Sequence, residues 1–125
     1  MTGAKKILIV EDNDVARELV RMTLERQGYT VVVAEDGVQG YDLAVGQRPD
    51  LIITDVNMPA ADGAHLVRRV RATPELAQTP ILVMTGYGTG SATFTLAQGA
   101  DAYEPKPVDP KSLMMTVSRL LERKP

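Results

Sequence analysis

Five side chains in four stretches of this sequence suit metal-assisted chemistry on an anionic group: the adjacent acids Glu11 and Asp12, the acid Asp55, the hydroxyl of Thr85 and the ammonium of Lys106. Two unit charges about 4 Å apart at a protein-like effective dielectric repel by roughly 4 kcal/mol, so three carboxylates share a pocket only with compensation. A divalent cation that prefers hard oxygen ligands, Mg²⁺ or Mn²⁺, supplies it. Asp12 and Asp55 are expected as direct ligands, Glu11 as an outer-sphere contact through water, and the backbone carbonyl of Asn57 as a further oxygen. Beside a metal and an ammonium, Asp55 becomes a carboxylate able to attack an electrophilic phosphorus. Phosphoryl transfer needs in-line geometry and positive charge around the equatorial oxygens. The cation and Lys106 carry that charge, Thr85 can donate to a phosphate oxygen, and Gly86 has no side chain to obstruct entry.

Taken singly, each residue has a plainer explanation. Glu11 and Asp12 suit a solvated turn or a helix N-terminus, where acids meet the positive end of the helix dipole. Thr85 alone is an ordinary strand-end threonine, Lys106 a surface lysine, and Asp55 a cap for its loop. Only elements that bring all five to one place make a site.

Five short apolar runs, Ile7 to Val10, Val31 to Ala34, Leu51 to Ile53, Ile81 to Met84 and Ala102 to Tyr103, recur about every twenty residues with helical patterns between them. Continuous rather than alternating apolarity indicates parallel strands covered on both faces. In the first helix Val15, Leu19 and Met22 share a face, and Gly28 follows where a left-handed residue is wanted. A second helix starts near Asp36, carries Val38, Tyr41 and Val45, and stops at Gly46. A third spans Gly63 to Ala72, with Leu66, Val67 and Val70 inward and Pro74 closing it. The fourth, rich in Gly88, Thr89, Gly90, Ser91, Thr93 and Thr95, has poor propensity and is expected to be weakly held. The last opens with Asp109 as N-cap and Pro110 at its first position, then buries Leu113, Val117, Leu120 and Leu121.

The pattern predicts an α/β fold: an open, doubly wound, five-stranded parallel sheet in the flavodoxin-like order 2-1-3-4-5, built as (βα)₅. Pro105 fits a fifth strand at the edge, since proline lacks the N–H that a central strand needs. In such sheets the functional crevice lies beyond the carboxyl ends of the strands. Glu11, Asp12, Asp55, Thr85 and Lys106 all fall there.

Composition sets the remaining bounds. A chain of 125 residues, 44% hydrophobic and 24% charged, fits one globular domain over 1–125. A formal charge of −2 with scattered basic residues argues against direct nucleic-acid binding. With no cysteine, disulfide, thiolate and zinc-thiolate chemistry is excluded. No signal peptide or run long enough to span a bilayer is seen, which makes a cytoplasmic protein without membrane attachment the expectation.

The motifs Ile7-Leu8-Ile9-Val10-Glu11-Asp12, Asp55-Val56-Asn57-Met58-Pro59 with Asp62-Gly63, Met84-Thr85-Gly86 and Gly99-Ala100-Asp101-Ala102-Tyr103 leading to Lys106-Pro107 occur in this order. Over about Lys5 to Leu121 the sequence resembles the response-regulator receiver domains of bacterial two-component phosphorelays. The resemblance implies Asp55 as phosphoacceptor, Glu11 and Asp12 holding the metal, and Thr85 and Lys106 contacting the phosphoryl group. It implies that Thr85 moves toward the phosphate while the aromatic Tyr103 turns inward. The surface formed by the fourth helix, fifth strand and fifth helix is thereby repacked for a downstream target protein. The resemblance further implies a sensor histidine kinase or histidine phosphotransferase as donor, and a monomer or a phosphorylation-dependent homodimer as the acting form. Asn57 and Tyr87 stand where the family tunes phosphate lifetime, and Tyr87→Ala is expected to change autodephosphorylation. Lys106-Pro107 is expected to be cis. Gly86 in place of a frequent alanine, and Pro105 before the lysine, depart from the usual pattern.

Beyond phosphoryl acceptance and self-dephosphorylation no enzymatic turnover is expected, and output would come from docking of the domain itself. Three rivals remain. A flavodoxin-like cofactor binder needs a phosphate cradle after the first strand, where this chain has Glu11-Asp12-Asn13-Asp14. An aspartate-nucleophile hydrolase needs a second acid at position 57, which is Asn57. A receiver that works without phosphorylation would not require the intact acceptor set.

Overall fold

The computed structural model describes residues 4–56, 63–86, 96 and 99–122. The apolar runs become β1 (Lys6–Val10), β2 (Thr30–Ala34), β3 (Leu51–Asp55), β4 (Ile81–Thr85) and β5 (Ala102–Pro105). They form one parallel sheet in the order β2-β1-β3-β4-β5, as the sequence predicts. Between them lie α1 (Asp14–Glu25), α2 (Gly37–Gln47) and α3 (Gly63–Ala72), and a C-terminal helix (Pro110–Glu122) ends the fold. The expected fourth helix, Asn57 and Tyr87 lie outside the described residues.

Alternation along the strands explains why the runs are continuously apolar. Ile7, Ile9, Leu51, Ile53, Leu82 and Met84 face one way and pack with Val20 and Leu24 of α1 and Leu113, Val117 and Leu120 of the C-terminal helix. Leu8, Val10, Ile52 and Val83 face the other way, onto Ala44 of α2 and Leu66, Val67 and Val70 of α3. Both faces are covered, so each such side chain contributes about 1.5–3 kcal/mol of burial. Leu121 joins the first cluster only half-buried.

Two helices meet the sheet differently from their most apolar stripe. On α1 the face of Val15, Leu19 and Met22 is exposed, Val15 by 79%, and the buried residues are Val20 and Leu24. The start of the helix is anchored to the end of β1: the Asn13 N–H donates to the Glu11 carboxylate at 3.0 Å, and Arg17 donates from Nη1 to the Glu11 carbonyl at 2.9 Å. On α2, Val38 and Val45 are exposed while Gly37, Gly40 and Ala44 are buried. A Cβ on Gly40 would stand 2.8 Å from Cγ2 of Val10, so close approach to β1 selects the small residues. This helix runs past Gly46 to Gln47 and ends on Arg48 in the left-handed region (φ 50), whose N–H returns to Ala44.

At the N-terminal end of the sheet, Arg71 of α3 donates to the carbonyls of Gly99 (2.9 Å), Ala77 (3.1 Å) and Thr79 (2.7 Å) and pairs with Asp101 at 2.7 Å. Asp101 in turn accepts the Ile81 N–H at 2.8 Å. One guanidinium therefore ties α3 to the start of β4 and to the segment entering β5.

Candidate functional site

Parallel pairing with Val10 opposite Thr54, Asp55 opposite Met84 and Thr85 opposite Pro105 brings four strand ends to one rim. The ladder continues just past the strands: Glu11 N–H donates to Ala34 (3.0 Å), Val56 N–H to Met84 (3.0 Å) and Lys106 N–H to Thr85 (2.7 Å). Backbone hydrogen bonds thus fix the candidate site residues at the strand ends.

Glu11 follows β1 and is only 1% exposed, whereas Asp12 beside it is open to solvent. Asp55 and Thr85 are the last residues of β3 and β4, and both are buried. Glu11, Asp12 and Asp55 each offer a carboxylate oxygen within 4.8 Å of the others. Lys106 reaches in from beyond β5, with Nζ 2.6 Å from Oε1 of Glu11 and 3.2 Å from Oδ2 of Asp55. The other oxygen of Glu11 accepts the Asn13 N–H at 3.0 Å. The Lys106–Pro107 peptide is cis. Tyr103, on the same strand as Pro105, is 42% exposed. The structure therefore unites Glu11, Asp12, Asp55 and Lys106 and sets Thr85 at the neighbouring strand end.

The electrostatics follow from this crowding. Burial is the main cause that raises the pKa of Glu11, and the charge of Asp55 adds to it. Hydrogen bonds from Lys106 and the Asn13 N–H offset only part. Burial also works against the Lys106 ammonium, but the hydrogen bond to Glu11 and the charges of Asp55 and Glu11 outweigh it and hold its pKa above the ordinary value. Lys106 stays protonated while Glu11 carries its charge at a cost.

Three clustered carboxylates with one ammonium are a hard-oxygen donor set with net negative charge, which fits Mg²⁺ or Mn²⁺ better than a softer metal. A buried carboxylate, an acidic cluster suited to a divalent cation and an ammonium on one rim are parts that phosphoryl transfer can use.

Two residues at the site escape notice in the sequence. Arg17 carries no motif, yet it donates to the Glu11 carbonyl. Glu104 belongs to no motif, yet it is buried against the C-terminal helix. For Glu104 a signal existed: it alternates with Tyr103 and Pro105, and Ser112 and Thr116 stand four apart on the facing helix.

Comparison with known proteins agrees with the geometry. Residues 7–118 match the response regulator receiver domain family, and the chain belongs to that family. It is 40% identical over 119 residues to the response regulator MprA of Mycobacterium sp. (strain KMS), covering 94% of this chain and 51% of that protein. The chain thus spans about half the length of the curated relatives it matches. Among solved structures, a putative response regulator from Chloroflexus aurantiacus superposes with a TM-score of 0.92 at 35% identity, over 96% of this chain and 99% of the other. The receiver domain of the sensor histidine kinase PA1611 from Pseudomonas aeruginosa, described with a magnesium ion coordinated in its active site cleft, gives 0.90 at 30% identity, over 97% and 100%. The chain is a response regulator receiver domain of two-component signalling. Such domains work with histidine kinases and generally bind Mg²⁺ at their acidic site. Among the described residues no helix is long and apolar enough to cross a membrane.

Proposed function

We propose that Asp55 accepts a phosphoryl group from a phosphohistidine donor, a sensor histidine kinase or a histidine phosphotransferase, with Mg²⁺ that Asp12 and Asp55 would hold directly and Glu11 through water. The observation that carries this reading is the bridge of Lys106 between Glu11 and Asp55 inside a cluster of three carboxylates. An Asp55 oxygen attacks phosphorus as the bond from phosphorus to the donor imidazole breaks, and the imidazole takes up a proton. Lys106 neutralises charge on the equatorial oxygens, and Thr85 donates its hydroxyl to one of them. Mg²⁺, when bound, would add positive charge at the phosphoryl group. Glu11 holds the ammonium in place and fixes the turn that presents Asp12.

The reaction ends on the protein itself, so the chain is a phosphoryl acceptor that resets by hydrolysis rather than an enzyme. Phosphorylation adds about −2 charge beside Thr85 and Lys106. Output follows as Thr85 and Tyr103 repack the surface around β5 and the C-terminal helix for a partner protein.

Incubation with acetyl phosphate and Mg²⁺, followed by intact mass, tests the chemistry. One added phosphoryl group, removable by hydroxylamine and absent after chelation or in Asp55→Asn, is expected. An unchanged mass would refute the reading.

A further inference from the structure

Glu104 is a carboxylate in an apolar position. It is the only acid on β5, it is 5% exposed, and it points at the C-terminal helix between outward-facing Tyr103 and Pro105. Buried carboxylates ordinarily pair with a cation. Here both oxygens are taken by hydroxyls one helical turn apart: Ser112 donates to Oε1 at 2.9 Å and Thr116 to Oε2 at 2.6 Å. A charge desolvated for two hydroxyl hydrogen bonds stabilises a fold less well than an apolar side chain of the same size. Its presence calls for a role other than stability.

The chain path indicates that role. Glu104 lies two residues before Lys106, and Ser112 six residues after it. Their hydrogen bond closes the base of the loop that carries the ammonium. Ser112 is itself fixed, because its N–H donates to the Asp109 cap at 3.1 Å. On the other side, β5 is an edge strand whose ladder to β4 ends at the Lys106 N–H. Beyond that point, the Glu104 clip links the Lys106 segment to the body of the molecule.

We propose that Glu104, through Ser112 and Thr116, is a positioning residue for Lys106. It sets the ammonium between Glu11 and Asp55 and links its position to the C-terminal helix. The kinetic consequence rests on the reading of Asp55 as acceptor; the geometric one does not.

The test compares Glu104→Leu and Glu104→Gln in the wild-type and Lys106→Met backgrounds, using acetyl phosphate at saturating Mg²⁺. Leucine keeps the packing, and the Ser112 and Thr116 hydroxyls can turn back to carbonyls of their own helix, so the unfolding midpoint should change little. The phosphorylation rate should fall about tenfold with leucine and no more than about threefold with glutamine, which retains an acceptor. In the Lys106→Met background neither change should slow the reaction further, the non-additivity expected of a residue acting through another. Equal slowing in both backgrounds, or a wild-type rate in Glu104→Leu, would overturn the proposal. A second readout needs no phosphodonor: the ¹⁵N signal of the Lys106 ammonium, assigned by its loss in Lys106→Met, should shift or broaden in Glu104→Leu. An unchanged signal overturns the proposal even if Asp55 never accepts phosphate. If no phosphate is taken up by the wild type while the ammonium signal moves, the acceptor reading fails and the clip stands. Should Glu104→Leu not fold, Thr116→Val with Ser112→Ala removes the same hydrogen bonds and carries the same kinetic and spectroscopic expectations, with a lower unfolding midpoint because the buried carboxylate loses its donors.

Discussion

Lys106 and Glu11, separated by 95 positions in the chain, meet with Nζ 2.6 Å from Oε1. The contact joins the segment after the edge strand β5 to the end of the interior strand β1. Removing the ammonium leaves Glu11 buried beside Asp55 without its cation. Lys106→Met should lower stability at pH 7 by about 2 kcal/mol, less than for a fully buried pair because the ammonium is partly solvated. The sign with pH is fixed by the two shifts. Glu11 lies above its ordinary 4.5 in the folded protein, so its charge costs stability at neutral pH and that cost is relieved as pH falls through the folded value. The deficit of Lys106→Met should therefore shrink on acidification. Lys106 lies above its ordinary 10.5, so its own stabilisation is complete below that value and is lost as pH rises through the folded one. Urea midpoints of both proteins between pH 4 and 11 would check these slopes.

Magnesium should stabilise the unphosphorylated protein by linkage. At a hundredfold excess over its Kd the gain is about 2.7 kcal/mol. Asp12→Asn should abolish most of that gain at the same concentration, because Asp12 is the exposed member of the triad. Thermal unfolding against Mg²⁺ concentration reads both; equal shifts in the two proteins would remove Asp12 from the ligand set.

The rotation of α1 gives a contrast in stability. Leu24→Ala should cost about 3 kcal/mol, since its side chain is fully buried between the sheet and the C-terminal helix. Val15→Ser should change stability by no more than about 0.5 kcal/mol. Urea denaturation distinguishes them, and similar losses would mean that the exposed stripe is packed after all.

Gly99 has φ 118, and a Cβ there would stand 2.9 Å from Cγ of Arg71. Gly99→Ala should cost about 2 kcal/mol through backbone strain and displacement of that guanidinium. A loss well under 1 kcal/mol in chemical unfolding would show that Arg71 moves aside freely.

The sequence carried the sheet because its strands are buried on both faces, which leaves continuous apolar runs in β1, β3 and β4. It carried the site because parallel strands put their carboxyl ends on one rim, and the reversal of strand order opens a crevice there, wherever the acids stand in sequence. What it hid was rotation and substitution. The start of α1 is tied to the turn at Glu11 by the Asn13 N–H and the Arg17 guanidinium, an anchor that the stripe of Val15, Leu19 and Met22 does not encode. The inward face of α2 is set by a 2.8 Å approach to Val10, which favours Gly40 over the larger Val38 and Val45. Glu104 was hidden because a charged residue is ordinarily solvated, and only the facing Ser112 and Thr116 make its burial possible.

Borohydride reduction tests the central claim most directly, since it converts an aspartyl phosphate to homoserine and so marks the modified residue. After treatment of the protein with acetyl phosphate and Mg²⁺, peptide mapping should find homoserine at position 55 alone. Homoserine at position 12, or none at all in a protein that has gained phosphate, would contradict the assignment of Asp55 as the acceptor.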